Sequence, residues 1–321
     1  MNSADFKAFQ LRKNGQLLDY RLGKNLNFKP IATFFSAKGY QIQSLNYPGR
    51  HVAGILTKDG QKYFLKLATT PGISVLTEIE ADWNQQFNQL IPRKESLFWV
   101  PQVFDQGYYQ TSLFYLITDV FSGPLLASVR SKNVFAKLMA KNLSPIIKFS
   151  QLIANLNLKN IVSREDIQAA DHQQWFMAKT QSWYKAIPIS IIEKYPLEPL
   201  LVLVKQNSSL LAKKTRHGDF APWHIFQLPN NRLGLIDAEH ALSNGVEYYD
   251  IGYFIQRVFS VLEKPDLAEK IINILLKLGY SRKKLKTILS ARAIGGFLDS
   301  SLVPFPDYTY CQKFADLTLN L

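Results

Sequence analysis

Residues 217–240 read HGDFAPWHIFQLPNNRLGLIDAEH, and no other stretch restricts the fold of this chain as much. Asp219 sits in a His-Gly-Asp turn. A short apolar β-hairpin then leads to a second acid, Asp237, which Leu233, Leu235 and Ile236 deliver to a strand end. A hairpin of this kind brings both carboxylates to the same end of a sheet. Phosphoryl transfer from ATP needs two such acids. One orients the attacking hydroxyl and accepts its proton, and the other holds the metal that neutralises the phosphates.

The rest of the chain divides around that hairpin. Residues 1–39 read as an N-terminal extension, polar and turn-rich at first, with Phe34 and Phe35 available to pack on the body. Residues 40–122 read as a strand-rich lobe. YQIQSLNY, HVAGILTK and QKYFLKLA are short strands, the last two joined by an Asp59-Gly60 turn that signals a hairpin. A helix over 73–90 and strands over 101–109 and 113–120 follow, and Phe121-Ser122-Gly123-Pro124 breaks the pattern. Residues 123–321 read as a mainly helical lobe. Helices are expected over 134–158, with Pro145 interrupting, and over 164–186, 189–214, 247–262, 265–278 and 282–298. The expected fold class is therefore α+β and bilobal, a small antiparallel sheet lobe beside a larger helical one. There is no internal repeat or low-complexity tract.

The 38 basic and 25 acidic residues leave a net charge of +13, which favours acidic partners such as nucleotides or phosphorylated sugars. The basic residues are dispersed. A solvated basic surface is expected rather than a sequence-specific nucleic-acid groove, with peripheral contact to an anionic membrane face left open. No apolar run reaches the roughly 20 residues that span a bilayer. The start lacks the apolar core of a secretory signal. The single Cys311 excludes an internal disulfide, fits a reducing cytoplasm and reads as a small apolar residue.

The 217–240 segment resembles the aminoglycoside phosphotransferase and choline-kinase-like family, whose pattern is H-G-D-x-x-x-x-N, a hairpin, then I-D-x-E, on a protein-kinase-like fold. One departure matters: the family's metal-binding asparagine is His224 here. The resemblance implies that Asp219 is the general base and Asp237 the magnesium ligand, with Glu239 either touching the metal through water or bracing its loop. It implies three readings of His224. The residue only braces the loop while Asp237 and water carry magnesium, or the site prefers manganese, or catalysis has decayed. Imidazole nitrogen suits manganese better than magnesium. A zinc site lacks the spaced Cys/His set it needs.

By the same resemblance Lys66, on the third strand of the first lobe, grips phosphates. Glu80 pairs with it, Glu78 being the runner-up, and Lys62 is solvated. Arg50 or His51 in NYPGRHVAG could reach a phosphate, and Gly49 and Gly54 would admit close backbone approach. Backbone groups near Asp119 and Phe121 would bond adenine, Gly123 would let the chain cross between lobes, and Asp250 would brace the catalytic loop. The function implied is transfer of the ATP γ-phosphate to a small-molecule hydroxyl, sugar-like or amino-alcohol, with magnesium or manganese. The alternative is a catalytically impaired nucleotide-binding protein. Polycationic acceptors bind acidic pockets, so the charge favours a neutral or anionic one. Trp175, Phe176, Trp183 and Tyr184 either stack on its ring or fill a helix core.

Overall fold

The computed structural model describes residues 7–165 and 167–321. The first six residues of the expected extension, and Asp166 in the helix expected over 164–186, lie outside the described residues.

The first lobe opens with a hairpin of β1 (Gln10–Lys13) and β2 (Gln16–Asp19), followed by α1 (Phe28–Ala37). Next come β3 (Gln41–Asn46), β4 (His51–Lys58), β5 (Gln61–Ala68), α2 (Pro71–Leu90), β6 (Phe98–Trp99), β7 (Val103–Tyr109) and β8 (Leu113–Asp119). Five of these strands form an antiparallel sheet in the order β3-β4-β5-β8-β7. Asp59 and Gly60 both adopt positive φ, 52° and 75°, as a two-residue hairpin turn requires. Alternation along β5 separates its two jobs. Leu65 and Leu67 pack with Ile31 and Phe35 of α1 on one face, while Phe64 and Lys66 look into the cleft on the other. Phe35 is fully buried, so α1 belongs to the core of this lobe. Thr70 caps α2 by accepting from Ile73 N, with Pro71 in the first turn.

The second lobe contains β9 (Ala127–Ser128), β10 (Asn133–Val134), α3 (Ala136–Ala154), α4 (His172–Ala186), α5 (Ile189–Lys194), α6 (Glu198–Asn207), β11 (Lys213–Arg216), β12 (Ile225–Gln227), β13 (Leu233–Leu235) and β14 (Leu242–Val246). It ends with α7 (Tyr249–Gln256), α8 (Pro265–Lys277), α9 (Arg282–Ser301) and α10 (Thr309–Asn320). Phe149, Phe220, Phe254, Phe297 and Phe314 are fully buried in its core.

Several expected boundaries shift, each for a local reason. Pro145 does not interrupt α3, because the acceptor it leaves unbonded belongs to exposed Lys141, where water can satisfy it. The helix expected from 164 begins at His172, where the Asp171 side chain accepts from Gln173 N and Gln174 N. Upstream, Arg164 O accepts from Arg12 N and Glu165 bridges Leu11, so β1 takes that backbone. The helix expected over 189–214 splits around Pro196, which disfavours helical geometry at Tyr195. Its last residues form β11, paired with β14. Two features, α10 and the parallel pairing of β13 with β6, were not expected from the sequence pattern. Cys311, on α10, is buried with Ser300 Oγ at 3.2 Å, a small core residue. Among the described residues no helix is long and apolar enough to cross a membrane.

Candidate active site

β11 delivers His217, Gly218 and Asp219 to the cleft. Gly218 has φ +87°, and a Cβ there would lie 2.1 Å from His240 O, so the turn admits only glycine. The Asp250 carboxylate, at the start of α7, accepts from His217 N at 2.8 Å and Gly218 N at 2.9 Å. Burial pushes its pKa up to about 6 against the pull of those two bonds. His217 is fully buried edge-on to Trp83, and its Nδ1 accepts from Asp219 N at 3.3 Å. Burial lowers its pKa to about 3, so it braces the turn as a neutral ring. Replacing the Asp250 carboxylate strands two buried donors. Asp250→Ala is expected to cost about 2–4 kcal/mol of folding stability. Urea denaturation measures this, and a change under about 0.5 kcal/mol would remove Asp250 from the bracing role.

Asp237 follows β13 with φ +70°, an uncommon backbone state for a non-glycine residue. Its Oδ1 meets Lys66 Nζ and its Oδ2 lies 3.4 Å from His224 Nε2. His224 Nδ1 lies 3.1 Å from Asp219 O. A carbonyl oxygen only accepts, so Nδ1 carries the hydrogen and Nε2 is the nitrogen that faces Asp237. Burial alone would lower the His224 pKa, but the Asp219 and Asp237 carboxylates outweigh it and raise it. Candidate ligand atoms of Asp219, His224 and Asp237 all lie within 4.8 Å of one another. Two carboxylates and an imidazole oriented through its other nitrogen make a donor set that fits a divalent cation. Mixed oxygen and nitrogen suits manganese better than magnesium.

Lys66 Nζ also reaches Glu80 Oε2 at 2.5 Å and Glu239 Oε1 at 2.7 Å. It is thus shared by three carboxylates. Burial pushes Glu80 up to about 7 despite Lys66. For Glu239 burial also pushes upward, but Lys66, Arg50 and His51 prevail and bring it down to about 2. Asp237 is likewise held well below the usual carboxylate range, with Lys66 and His224 overcoming burial. Glu78 does not join this cluster and instead meets Lys13 at 2.6 Å and Tyr108 at 2.7 Å. Lys62 is exposed beside the turn.

Glu239 is 2% exposed and acts as a clamp between lobes. Beyond Lys66, it holds Arg50 at 2.5 Å and His51 at 3.1 Å. Arg50 also donates to Tyr20 O, and His51 lies 3.0 Å from Thr77 Oγ1. Both residues of the first loop are therefore engaged across the cleft. Gly54, from the same region, is explained by its neighbour: a Cβ would lie 2.4 Å from Ser44 O.

A cavity of about 380 Å³ gathers Lys66, Glu80 and Asp237 at one end and Asp119 and Phe121 at the other. Ala53, Phe64, Leu116, Phe226 and Ile236 give it apolar walls. Arg93 NH1 donates to Asp119 Oδ2 at 2.6 Å, and Gln102 N donates to Asp119 Oδ1 at 2.6 Å. The Phe121 ring stands edge-on to Phe226. Beyond them Gly123, at φ +151°, passes so close to Gln227 O that a Cβ would lie 2.1 Å away. Asp219 and His224 adjoin the cavity through Asp237.

A second cavity, of about 340 Å³, lies on the Gly218 side of the same turn. Arg50 lines both. Phe9 and Tyr20, from the segment expected as an extension, contribute to its wall, as does Trp183. Trp175 instead packs on Arg216, Phe176 is buried, and Tyr184 packs against the core. Arg216, Arg257 and Arg292 also line this wall and were not expected there from the sequence. Arg292 did carry a signal: it is a lone charge within the otherwise apolar run Ala291–Ile294 of α9.

No family model matches the sequence, and no curated protein matches it. Solved structures do. The aminoglycoside phosphotransferase APH(4)-Ia aligns with TM-score 0.68 and 14% identity over 92% of this chain and 99% of its own. A thermostable form of that protein, solved in a ternary complex with ADP and hygromycin B, gives 0.66 and 15% over 91% and 98%. Choline kinase LicA from Streptococcus pneumoniae gives 0.53 and 16% over 91% and 97%. At such identities the likeness concerns the fold, and the chain has the bilobal protein-kinase-like fold that the aminoglycoside phosphotransferases and choline kinase share.

Proposed function

We propose that this protein is an ATP-dependent phosphotransferase acting on a hydroxyl of a small molecule. One observation carries the reading. Lys66, Glu80 and Asp237, from both lobes, line one end of a cavity of nucleotide size, with His224 and Asp219 gathered beside Asp237. In this reading the apolar walls and the chain near Asp119 and Phe121 hold the adenine. Lys66, positioned by Glu80, grips the phosphates. Asp237 and His224 hold the divalent ion, which when bound neutralises phosphate charge. Asp219 orients the acceptor hydroxyl and takes its proton. Positioning and electrostatics then supply most of the rate, as in phosphoryl transfer generally. The single buried cysteine suits a reducing cytoplasm.

The test is ATP consumption by the intact chain with sugars, amino alcohols, sugar acids and aminoglycosides, in magnesium and in manganese. Acceptor-dependent ADP release that Asp219→Asn abolishes supports the reading. His224 supplies a further prediction. His224→Asn exchanges a nitrogen ligand for an amide oxygen, so the magnesium-supported rate is expected to equal or exceed that of the natural chain, with a smaller advantage for manganese. Loss of rate with both metals would give His224 a positive role.

A second reading, a nucleotide-binding protein without transfer activity, is favoured by the imidazole of His224 standing between Asp219 and Asp237. An imidazole nitrogen there is a poorer partner for magnesium than an amide or carboxylate oxygen. ATP binding without ADP release from any acceptor, in either metal and up to about pH 8, would favour it.

A further inference from the structure

We propose that the second cavity is the acceptor pocket and that it selects an anionic hydroxyl compound, a sugar or polyol bearing a phosphate or carboxylate. The word acceptor rests on the phosphotransferase reading. The anion site itself does not.

Six cationic side chains line this cavity against two carboxylates, Glu165 and Asp299. Three of the cations are already paired: Lys179 with Glu165 at 2.7 Å, Arg257 with Asp299 at 2.8 Å, and Arg50 with Glu239. Arg216 and Arg292 are not. They are 6% and 3% exposed, yet among the described residues neither has a carboxylate within 4.0 Å. Asp250 acts on Arg216 only from beyond that distance. A guanidinium this deep is normally paired, because taking it from water without a counter-charge is costly.

Aromatic rings hold these groups instead. The Arg216 guanidinium lies 4.0 Å from the Tyr249 ring centre and 4.9 Å from that of Trp175. Arg292 lies 4.3 Å from Tyr253, 5.1 Å from Trp183 and 5.8 Å from Tyr249. Arg257 lies 4.5 Å from Tyr253. Tyr249 and Tyr253 are one helical turn apart on α7, so arginines and rings alternate along one wall. The tyrosine hydroxyls accept from Arg292 NH1 at 3.2 Å and Arg257 NH2 at 2.6 Å. The Nε–H groups of all three arginines are buried and make no hydrogen bond. Stacking fixes a guanidinium plane without neutralising it, which leaves N–H edges for an oxyanion.

The wall stands beside the proposed chemistry. Gly218 lines the cavity, and the Asp219 charge helps raise the Arg257 pKa. A sugar ring could lie on Tyr20 and Trp183 with its anionic group on the arginines and a hydroxyl toward Asp219. A polycationic aminoglycoside would meet the opposite charge from the one it needs.

Titration calorimetry on the intact chain, with and without AMP-PNP, tests this with inorganic phosphate, glucose phosphate and gluconate against glucose and kanamycin. The anions are expected to bind below about 1 mM, with affinity that falls as salt rises, and glucose at least about tenfold more weakly. The phosphate and gluconate arms tell which oxyanion is preferred. Arg292→Gln is expected to weaken glucose phosphate about tenfold to a hundredfold while AMP-PNP affinity stays unchanged. Arg292→Lys should fall between, because it keeps the charge and loses the planar fork. Should Arg292→Gln fail to fold, Arg257→Gln, at a more exposed position, is expected to lose about tenfold. The proposal is overturned if no anion binds below about 1 mM, if glucose or kanamycin binds as tightly, or if the folded variants bind glucose phosphate unchanged. Anion binding lost in Arg292→Gln, but with no ATP consumed, keeps the subsite and sinks the phosphotransferase reading. Transfer to kanamycin does the reverse.

Discussion

Asp219→Asn is expected to lower phosphotransfer about a hundredfold to ten-thousandfold, the range a positioned general base supplies. The side chain keeps its size, and the turn keeps its supports: the Asp250 carboxylate, the His217 ring and the glycine at Gly218 do not involve the Asp219 carboxylate. Nucleotide contacts in the proposed arrangement lie on Lys66 and on the chain near Asp119 and Phe121. AMP-PNP affinity should therefore change less than about twofold, and the thermal midpoint should barely move. Steady-state rates and calorimetry on the same preparations separate the two effects. An Asn variant that retains a tenth or more of the rate would take Asp219 out of the base role. One that loses nucleotide affinity as well would mean the turn, not the proton, was lost.

The larger effect on the folded state is expected from Lys66→Met. Lys66 Nζ is the ammonium shared by Glu80, Asp237 and Glu239, whose side chains are 6%, 29% and 2% exposed. Removing one member of a buried ion pair typically costs about 3–5 kcal/mol, because the partner charge stays behind. Here three partners stay behind, although Arg50 and His51 still hold Glu239. The loss should thus lie toward the upper end of that range, and productive ATP binding should fall with it.

The pH dependence identifies the cause. With Lys66 present, Asp237 and Glu239 have depressed pKa values, so their contribution to stability is present above their unfolded values and lost as pH falls. Without Lys66, Glu80 loses the cation that opposes its burial and rises further above its unfolded value, while Asp237 and Glu239 are drawn down only by His224, Arg50 and His51. The Glu80 contribution to stability is then present at low pH and lost as pH rises. Glu80, already at about 7, gives the natural chain a weaker trend of that same sign between its unfolded value and neutrality. The variant's deficit should accordingly shrink between about pH 7.5 and pH 5. Calorimetric melting of both forms at the two pH values measures it. A deficit that does not change with pH would point to lost packing of the lysine stem and not to stranded carboxylates.

Much of the site was legible because it is local. The H-G-D turn needs a positive-φ glycine between its neighbours, and Gly218 supplies it two residues after β11. The D-G turn at Asp59-Gly60 and the alternation of β5 place Leu65 and Leu67 inward and Lys66 toward the cleft, all within a few bonds of the deciding residues. The hairpin of β12 and β13 delivers Asp237 for the same reason. Turn chemistry and side-chain period are properties of neighbours, so the sequence states them directly.

Tertiary packing decided the rest. Nothing local to Glu239 distinguishes a solvated acid from the buried clamp it becomes, because Arg50, His51 and Lys66 reach it only when the lobes meet. The backbone of Arg164 and Glu165, expected as the start of a helix, is taken by Leu11 and Arg12, which reach it from a distant part of the chain. Residues 9 and 20, polar in their surroundings and turn-like in sequence, become a wall of the second cavity. Arg216, Arg257 and Arg292 belong to three separate segments and form one cavity wall only through the rings of Tyr249 and Tyr253 between them. A contact between distant segments leaves no period and no spacing in either one. The turns and strand ends that gather the candidate transfer residues were therefore written in the sequence, whereas the proposed acceptor cavity arises only when α4, α7, α9 and the N-terminal hairpin close around one space.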